Sequence, residues 1–92
     1  MIVSFRHRGL RRLFEDDDRS KLPAEHIPRL RLILGALDVA ERIEDMSVHS
    51  FRLHPLRGDL QGFWAVTVRA NWRLIFRFGG GNASDVDLVD YH

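Results

Sequence analysis

Residues 63–78 have the sequence FWAVTVRANWRLIFRF, which constrains the fold more than any other part of the chain. The segment contains two apolar runs rich in aromatic and β-branched residues, a composition typical of β-strands. Only Ala70 and Asn71 separate the runs, which is the spacing of a two-residue hairpin turn in which asparagine tolerates a positive φ. We therefore predict an antiparallel β-hairpin.

A two-residue turn also predicts which hairpin residues face each other. On one face, Val66 would pair with Ile75 and Val68 with Arg73. On the other face, the expected pairs are Phe63 with Phe78, Ala65 with Phe76, and Thr67 with Leu74. We expect the phenylalanine-rich face to pack under helices and the face with Val68 and Arg73 to be more open.

The first half of the chain predicts a short strand and two helices. Apolar and polar residues alternate weakly over residues 2–6, which predicts a short strand. A short helix is predicted to begin at Gly9, with Leu10, Leu13 and Phe14 at helical spacing. From Ile27 onwards, apolar residues recur at i, i+3, i+4 and i+7, which predicts a long amphipathic helix to about Ile43. Pro23 suits the first turn of this helix, but Pro28 is also tolerated only in a first turn, so the helix must start later than Pro23 or bend at Pro28.

The second half predicts four strands, so the fold class is α+β. A short strand, FRLH, precedes the hairpin, and the turn at Gly79–Gly81 leads into a last strand at roughly 84–89. The predicted order is β-α-α-β-β-β-β, with the two N-terminal helices on one face of a mainly antiparallel sheet. With 92 residues, the chain has room for one domain, 1–92.

Composition excludes several classes and favours a polyanion partner. There is no cysteine for a disulfide or thiolate site, and no apolar run suits a signal peptide or membrane span, so we expect a cytoplasmic protein. Lys21 is the only lysine, against thirteen arginines, and the segment from Phe51 to Phe78 has five arginines but one acid, Asp59. Arginine suits bidentate phosphate binding, although genomic base composition also favours it.

A set of proton-transferring and cationic residues could carry RNA chemistry. They are His54 and Arg57 in the loop HPLRG, Arg69 and Arg73 beside the hairpin turn, and the final Asp90, Tyr91 and His92. A base can deprotonate a 2′-hydroxyl, cations can stabilise the phosphorane, and an acid can protonate the departing 5′-oxygen. This chemistry needs no metal ion.

The same residues also have simpler interpretations. His7, His26 and His49 are expected to be exposed or simply hydrogen-bonded, Arg73 alone could be a solvated strand residue, and a terminal DYH could be frayed. A metal site formed by His49, His54 and His92 lacks a supporting motif, and Gly79–Gly81 lacks the lysine and helix of a phosphate loop. The residues alone indicate a small α+β domain with a candidate phosphate-binding surface.

The segment LHPLRGDLQGFWAVTVRANWRLIFRF, followed by a final DYH, resembles the HigB toxins of the RelE superfamily. SFRHRGLRRLFE and PAEHIPRLRLILGALD extend the resemblance over nearly the whole chain. The resemblance implies a RelE-like fold and a toxin that cleaves mRNA in the ribosomal A site. It places catalytic candidates at His54, Asp90, Tyr91 and His92, and RNA- or phosphate-contacting positions at Arg57, Arg69 and Arg73. The family often has lysine at position 57; arginine keeps the charge but cannot serve as a base.

Within this resemblance, we expect Arg73 to stabilise transition-state charge, and His54 and His92 to be the base and acid. Tyr91 would stack on a base or orient the 2′-hydroxyl, and Asp90 would hold an imidazole or act directly. The resemblance implies no cofactor and a HigA-like helix-turn-helix antitoxin, through which alone operator DNA would be bound. Two alternatives are a non-catalytic RNA- or ribosome-binding module or toxin relic, and a DNA-binding domain, which the absence of a short recognition helix disfavours.

Overall fold

The computed structural model describes residues 1–91 and contains two helices followed by a four-stranded sheet. The helices are α1, Arg8–Asp16, and α2, Ile27–Val39. The strands are β1, His54–Pro55; β2, Trp64–Arg69; β3, Trp72–Gly79; and β4, Asn82–Asp90. Their order in the sheet is β1-β2-β3-β4, and all neighbours are antiparallel. The predicted α+β class, with a mainly antiparallel sheet, is confirmed.

The N-terminal segment does not form the strand predicted at residues 2–6. It runs parallel to β4 and meets it at two isolated bridges, Ile2–Ala83 and Phe5–Val86. The β3–β4 register shifts between these bridges, where Asp85 has a φ of 52°. Because this bulge bends β4, a continuous ladder with the first segment does not form. The predicted order β-α-α-β-β-β-β is therefore wrong at its first element.

Both helices begin where local chemistry favours a helix start. In α1, His7 is the N-cap, and its Nδ1 accepts a hydrogen bond from the Leu10 backbone N–H at 3.1 Å. In α2, Pro28 occupies the first turn, so the helix starts late, as one of the two predicted alternatives required. It ends at Val39, earlier than predicted, and a 3₁₀ turn, Ile43–Met46, follows. Neither helix is long and apolar enough to cross a membrane.

The main core lies between the helices and one face of the sheet. The buried side of α2 consists of Ile27, Leu30, Ile33, Leu34 and Leu37. These residues belong to one cluster with sheet residues that include Val66, Val68, Leu74, Phe76, Val86 and Leu88. The predicted apolar stripe of α2 is thus confirmed as the surface that packs on the sheet.

The hairpin register differs from the prediction by one residue over most of its length. Val66 pairs with Leu74 and Thr67 with Arg73, although Arg69 still pairs with Trp72 across the two-residue turn. A bulge at Val68 absorbs the difference, and the positive φ, 50°, falls on Ala70 instead of Asn71. The predicted pairs from Phe63 to Val68 are therefore wrong.

The slip changes the face to which the aromatic residues belong. Phe63 packs with Leu56, Ala65 and Ile75 in a second, smaller cluster, whereas Phe76 lies in the main core. The predicted single face of Phe63, Phe76 and Phe78 does not exist, because shifting a strand by one residue moves its side chains to the opposite face. We call the face with Phe63, Ala65, Ile75 and Arg73 the open face, since the helices do not cover it.

Candidate active site

Arg73 is held at the hairpin end of the open face. Its Nη1 donates hydrogen bonds to the carbonyl oxygens of Ala70 at 2.6 Å and Trp72 at 3.1 Å. The side chain is half-buried, and its backbone neighbours across the sheet are Thr67 and Val89. These contacts fix the guanidinium beside the turn and leave it further donors, since guanidinium has five N–H groups. Such a cation suits stabilisation of developing phosphate charge.

The end of the chain is paired with the same hairpin. Asp90 is the last residue of β4 and lies opposite Trp72, and the Tyr91 backbone N–H donates to the Asn71 carbonyl at 2.8 Å. The Tyr91 side chain is 37% exposed, enough to contact a ligand. The backbone of Asp90 and Tyr91 is therefore paired with the hairpin and is not frayed. His92, the third predicted tail residue, lies outside the described residues.

His54 carries a ring nitrogen that can act as a base. It is exposed in β1 opposite Ala65, and its Nδ1 lies 2.9 Å from the Arg52 carbonyl oxygen. A carbonyl oxygen can only accept, so Nδ1 is the donor and the neutral ring keeps its lone pair on Nε2. The tautomer thus leaves Nε2 available to take a proton from a substrate hydroxyl.

The ladder arranges these residues in rows across the sheet. One row on the open face is His54, Ala65, Ile75 and Asp87, and the next is Thr67, Arg73 and Val89. From ordinary strand spacings, the Cα atoms of His54 and Arg73 are roughly 12 Å apart. His54 and Arg73 therefore lie on the same face of the sheet, two strands and one row apart.

Arg69 and Asp90 occupy a different row. The pairing Arg69–Trp72–Asp90 aligns them with Trp72, which packs against the helix-side core. Since paired residues project from the same face, Arg69 and Asp90 leave the sheet end on the side opposite Arg73. The hairpin end thus carries Arg69 and Asp90 on one side of the sheet and Arg73 on the other, and Tyr91 follows Asp90 in the chain.

Arg57 is separated from the other predicted arginines. It precedes the 3₁₀ turn Gly58–Leu60 in the loop between β1 and β2. Its neighbour Leu56 donates its backbone N–H to the Phe63 carbonyl oxygen at 2.9 Å. That loop lies beyond the start of β2, so its backbone is roughly 13 Å along the strands from the row of Arg73. The structure therefore does not place Arg57 beside Arg69 and Arg73, although its side chain is exposed.

The other histidines correct one prediction. His7 caps α1 and His49 is exposed, as expected. His26, however, is 3% exposed, and its Nδ1 has no hydrogen-bond partner within residues 1–91. The centre of its ring lies 5.5 Å from that of Trp72, so His26 packs against the residue that pairs with Asp90. No group of three or more acidic or histidine side chains within residues 1–91 could hold a metal ion.

Three further arginines make contacts that the sequence did not indicate. Arg29 donates to the Ser50 and Thr67 carbonyls at 2.5 and 3.2 Å, so it ties α2 to β2 and to the turn before β1. Arg6 and Arg77 both lie over the Phe63 ring, at 5.0 and 4.4 Å from its centre. These are contacts between residues distant in sequence, and no local pattern could have revealed them.

Comparison with known proteins assigns the family. Residues 3–92 match the RelE-like toxins of the type II toxin–antitoxin system HigB. The chain belongs to this family. It is 45% identical over 92 residues to Endoribonuclease HigB of Proteus vulgaris, with 100% of both chains covered. It is also 32% identical over 90 residues to Toxin HigB-1 of Vibrio cholerae serotype O1, covering 96% of this chain and 95% of that one.

A solved structure supports the fold independently of close sequence similarity. The YoeB–YefM complex from Staphylococcus aureus contains a chain that matches with a TM-score of 0.59 and 13% identity. The match covers 100% of this chain and 95% of that one. The predicted architecture, two helices with an antiparallel sheet, is therefore shared with a chain of low sequence similarity.

Proposed function

We propose that this protein is an endoribonuclease toxin that cleaves mRNA in the A site of the ribosome and thereby inhibits translation. The observation that carries the proposal is the pairing of the chain end with the hairpin, so that Asp90 and Tyr91 lie at the same end of the sheet as Arg69 and Arg73. Membership of the HigB-like family and the name of the Proteus vulgaris relative support the same activity.

The proposed reaction is attack of a 2′-hydroxyl on the adjacent phosphate. His54 Nε2 takes the hydroxyl proton, and Arg73 stabilises the charge that develops on the phosphorane. His92, an imidazole at the chain end, protonates the departing 5′-oxygen, while Asp90 holds an imidazole or transfers a proton itself. Tyr91 stacks on a base or orients the 2′-hydroxyl. All proton transfers are supplied by side chains, so the route needs no metal ion or cofactor.

Arg57 and Arg69 have binding roles in this proposal. Both are exposed, and neither forms an ion pair within residues 1–91. Arg69 lies at the hairpin end, where it can hold a phosphate next to the cleaved one. Arg57, in the loop at the other end of β2, would contact RNA farther along the strand.

The proposed partners follow from this activity. A protein that acts on ribosomes and mRNA works in the cytoplasm, and a HigA-like helix-turn-helix antitoxin would hold it inactive. DNA contact would come only through that antitoxin, because both arginines of α2 are already engaged. Arg29 bonds to backbone carbonyls, and Arg31 forms an ion pair with Asp17. The chain of the YoeB–YefM complex indicates that proteins of this fold assemble with antitoxins.

The test is cleavage by the purified protein in a reconstituted translation reaction. New mRNA 5′ ends, mapped by primer extension and seen only when ribosomes are present, are the expected result. The same mRNA incubated without ribosomes is the control, and its cleavage would show that ribosomes are not required. Intact mRNA together with protein that pellets with ribosomes would favour a non-catalytic binding module instead.

A further inference from the structure

A concave surface next to the start of α1 is lined almost entirely by arginine. Its volume is about 210 Å³, and its lining residues are Phe5, Arg6, Arg8 and Arg11. We call it the N-terminal basic cleft. All three arginines are exposed residues, and none forms an ion pair within residues 1–91. Three uncompensated positive charges therefore converge on one small depression.

These charges do not stabilise the helix to which two of them belong. The first turn of α1 contains no acidic residue and its last turn no basic one, while Glu15 and Asp16 stand at its C-terminal end. A helix is stabilised by the opposite arrangement, with acids at the start and bases at the end. The positions of Arg8 and Arg11 thus oppose helix stability, so the fold gives no reason for them.

Arg6 is held in place without losing its charge. Its guanidinium lies over the Phe63 ring, and the guanidinium of Arg77 lies over the same ring. Arg77 also forms an ion pair with Asp85 at 3.5 Å, which anchors this group of side chains. A guanidinium stacked on an aromatic ring still has its N–H donors at its edge, where a phosphate oxygen can accept from them.

The cleft continues the face that carries the candidate active site. Arg73, Ile75 and Arg77 alternate along β3, and Ile75 and Phe63 belong to the cluster on the open face. Arg73 and Arg77 are four residues apart, so their Cα atoms are roughly 13 Å apart along the strand. A polyanion bound at Arg73 can therefore follow the open face past Arg77 to the basic cleft.

We propose that the N-terminal basic cleft binds the phosphate backbone of RNA outside the cleaved nucleotides. Arg6, Arg8 and Arg11 supply the cationic groups, and the ligand is recognised by charge, without reading its bases. This inference deepens the proposed function and rests on it, since the RNA is that of the ribosome or the message. The cleft docks the protein, and the residues at the hairpin end carry out the cleavage.

The experiment compares two triple variants that lose the same charge. In the cleft variant, Arg6, Arg8 and Arg11 are each changed to Gln; in the control, Arg19, Lys21 and Arg42, exposed basic residues outside the cleft, are each changed to Gln. Binding of a short single-stranded RNA with methylated 2′-hydroxyls, which cannot be cleaved, is followed by fluorescence anisotropy over a range of salt concentrations. Co-sedimentation with purified ribosomes is measured in parallel.

Log affinity falls as log salt rises, and each RNA phosphate that the protein no longer neutralises should make this slope shallower by about 0.7 for single-stranded RNA. The slope of the cleft variant should therefore be shallower than that of the wild type by about 2, and its affinity for RNA at least tenfold weaker. The control should change much less. A loss of binding confined to the ribosome assay would identify ribosomal RNA as the ligand, and a loss in both assays would include the message. Equal behaviour of the two triple variants in both assays would overturn the proposal, even if antitoxin binding changed.

Two further measurements keep the result interpretable. A double variant, Arg8→Gln with Arg11→Gln, leaves Arg6 on Phe63, so it tests the cleft if the triple variant unfolds. It should lose about 1.4 in slope. Wild-type protein that binds RNA through the cleft but never cleaves would contradict the proposed function alone. Cleavage unaffected by a cleft variant with unchanged RNA and ribosome binding would contradict this inference alone.

Discussion

Single residues at the hairpin end combine structural and chemical roles. Arg73 holds the turn through the Ala70 and Trp72 carbonyls, and it is also the cation proposed to stabilise the phosphorane. His54 is similarly fixed through its Nδ1 by the Arg52 carbonyl, which leaves Nε2 for chemistry. In both cases one part of the side chain is anchored to backbone, and this reduces the reorganisation needed when substrate binds.

Replacing Arg73 by alanine should therefore have a small effect on stability and a large one on cleavage. We expect cleavage to fall by about 10²–10³, because the variant lacks one donor to the developing charge. The free energy of unfolding should fall by about 1 kcal/mol for each of the two hydrogen bonds of Arg73 that are lost. Rates from the translation assay and urea midpoints measure both effects, with Arg19→Ala, an exposed arginine, as control. Wild-type cleavage by Arg73→Ala would remove Arg73 from the mechanism.

After α2 ends, the carboxylate of Asp45 accepts hydrogen bonds from backbone N–H groups that a helix would otherwise satisfy. Its Oδ2 accepts from the backbone N–H groups of Glu41 and Arg42 at 2.9 and 3.1 Å. These bonds, first that of Glu41 and then that of Arg42, hold the pKa of Asp45 below its ordinary value of 3.8. The ionised carboxylate therefore satisfies two donors immediately before the 3₁₀ turn Ile43–Met46.

The stability contributed by Asp45 should depend on pH in one direction. A carboxyl group with a lowered folded-state pKa stabilises the protein above its unfolded pKa, and this contribution disappears as pH falls through the folded value. The urea midpoint of the wild type should exceed that of Asp45→Asn at pH 7, and the gap should narrow in acid, below the ordinary value of 3.8. Glu44→Gln, an exposed acid of the same turn, is the control for loss of charge. A gap independent of pH would contradict this role.

At the scale of elements, α2 and the hairpin form the packing unit on which the site depends. The core faces of β2 and β3, including Val66, Leu74 and Phe76, belong to the same cluster as the apolar stripe of α2. Arg29 adds a polar tie from α2 to β2 through the Thr67 carbonyl. The orientation of the open face is therefore determined by how α2 packs on the opposite side of the sheet.

Leu37→Ala should weaken this packing strongly. Leu37 has 0% exposure, and removing such a side chain from a core typically lowers the free energy of unfolding by about 2–5 kcal/mol. Leu32 lies on the same helix but is 57% exposed, so Leu32→Ala should change stability by less than about 0.5 kcal/mol. Urea denaturation followed by circular dichroism measures both variants. Equal midpoints for the two would show that the buried stripe of α2 is misassigned.

At the scale of the whole molecule, the fold brings distant parts of the sequence together at the hairpin end and along the open face of the sheet. The chain end lies beside the hairpin turn because β4 runs antiparallel to β3, and the N-terminal segment lies along the other edge of β4. The open face thus receives Arg73 from β3 and His54 from β1. The N-terminal segment contributes Arg6, which reaches the ring of Phe63. A surface that could bind one RNA strand is assembled from four separate segments.

Changing Asp90, Tyr91 and His92 together to alanine should abolish cleavage without abolishing ribosome or antitoxin binding. Substitution keeps the backbone pairing of Asp90 with Trp72 and of Tyr91 with Asn71, which deletion of these residues would remove. His92→Gln alone should reduce cleavage, since an amide keeps hydrogen bonding but cannot transfer protons near neutral pH. Primer extension and ribosome co-sedimentation are the measurements. Full cleavage by the triple variant would exclude the tail from catalysis, and loss of ribosome binding would make it a docking element.

The sequence by itself determined the local structure of this protein. Apolar residues at helical spacing placed α2, Pro28 limited where it could begin, and alternating residues around Ala70 and Asn71 placed the hairpin. The family and its expected site residues also followed from sequence. These features depend on interactions between neighbours in the chain, which residue types and spacing encode directly.

Tertiary structure alone decided the register, the faces and the neighbours of the site residues. The hairpin strands have apolar residues on both faces, such as Val66 and Ala65, so alternation could not choose which face meets the helices. Packing against α2 selected the slipped register, and the bulge at Val68 reconciled it with the two-residue turn. The burial of His26 and the stacking of Arg6 on Phe63 likewise arise only when segments distant in sequence pack against each other.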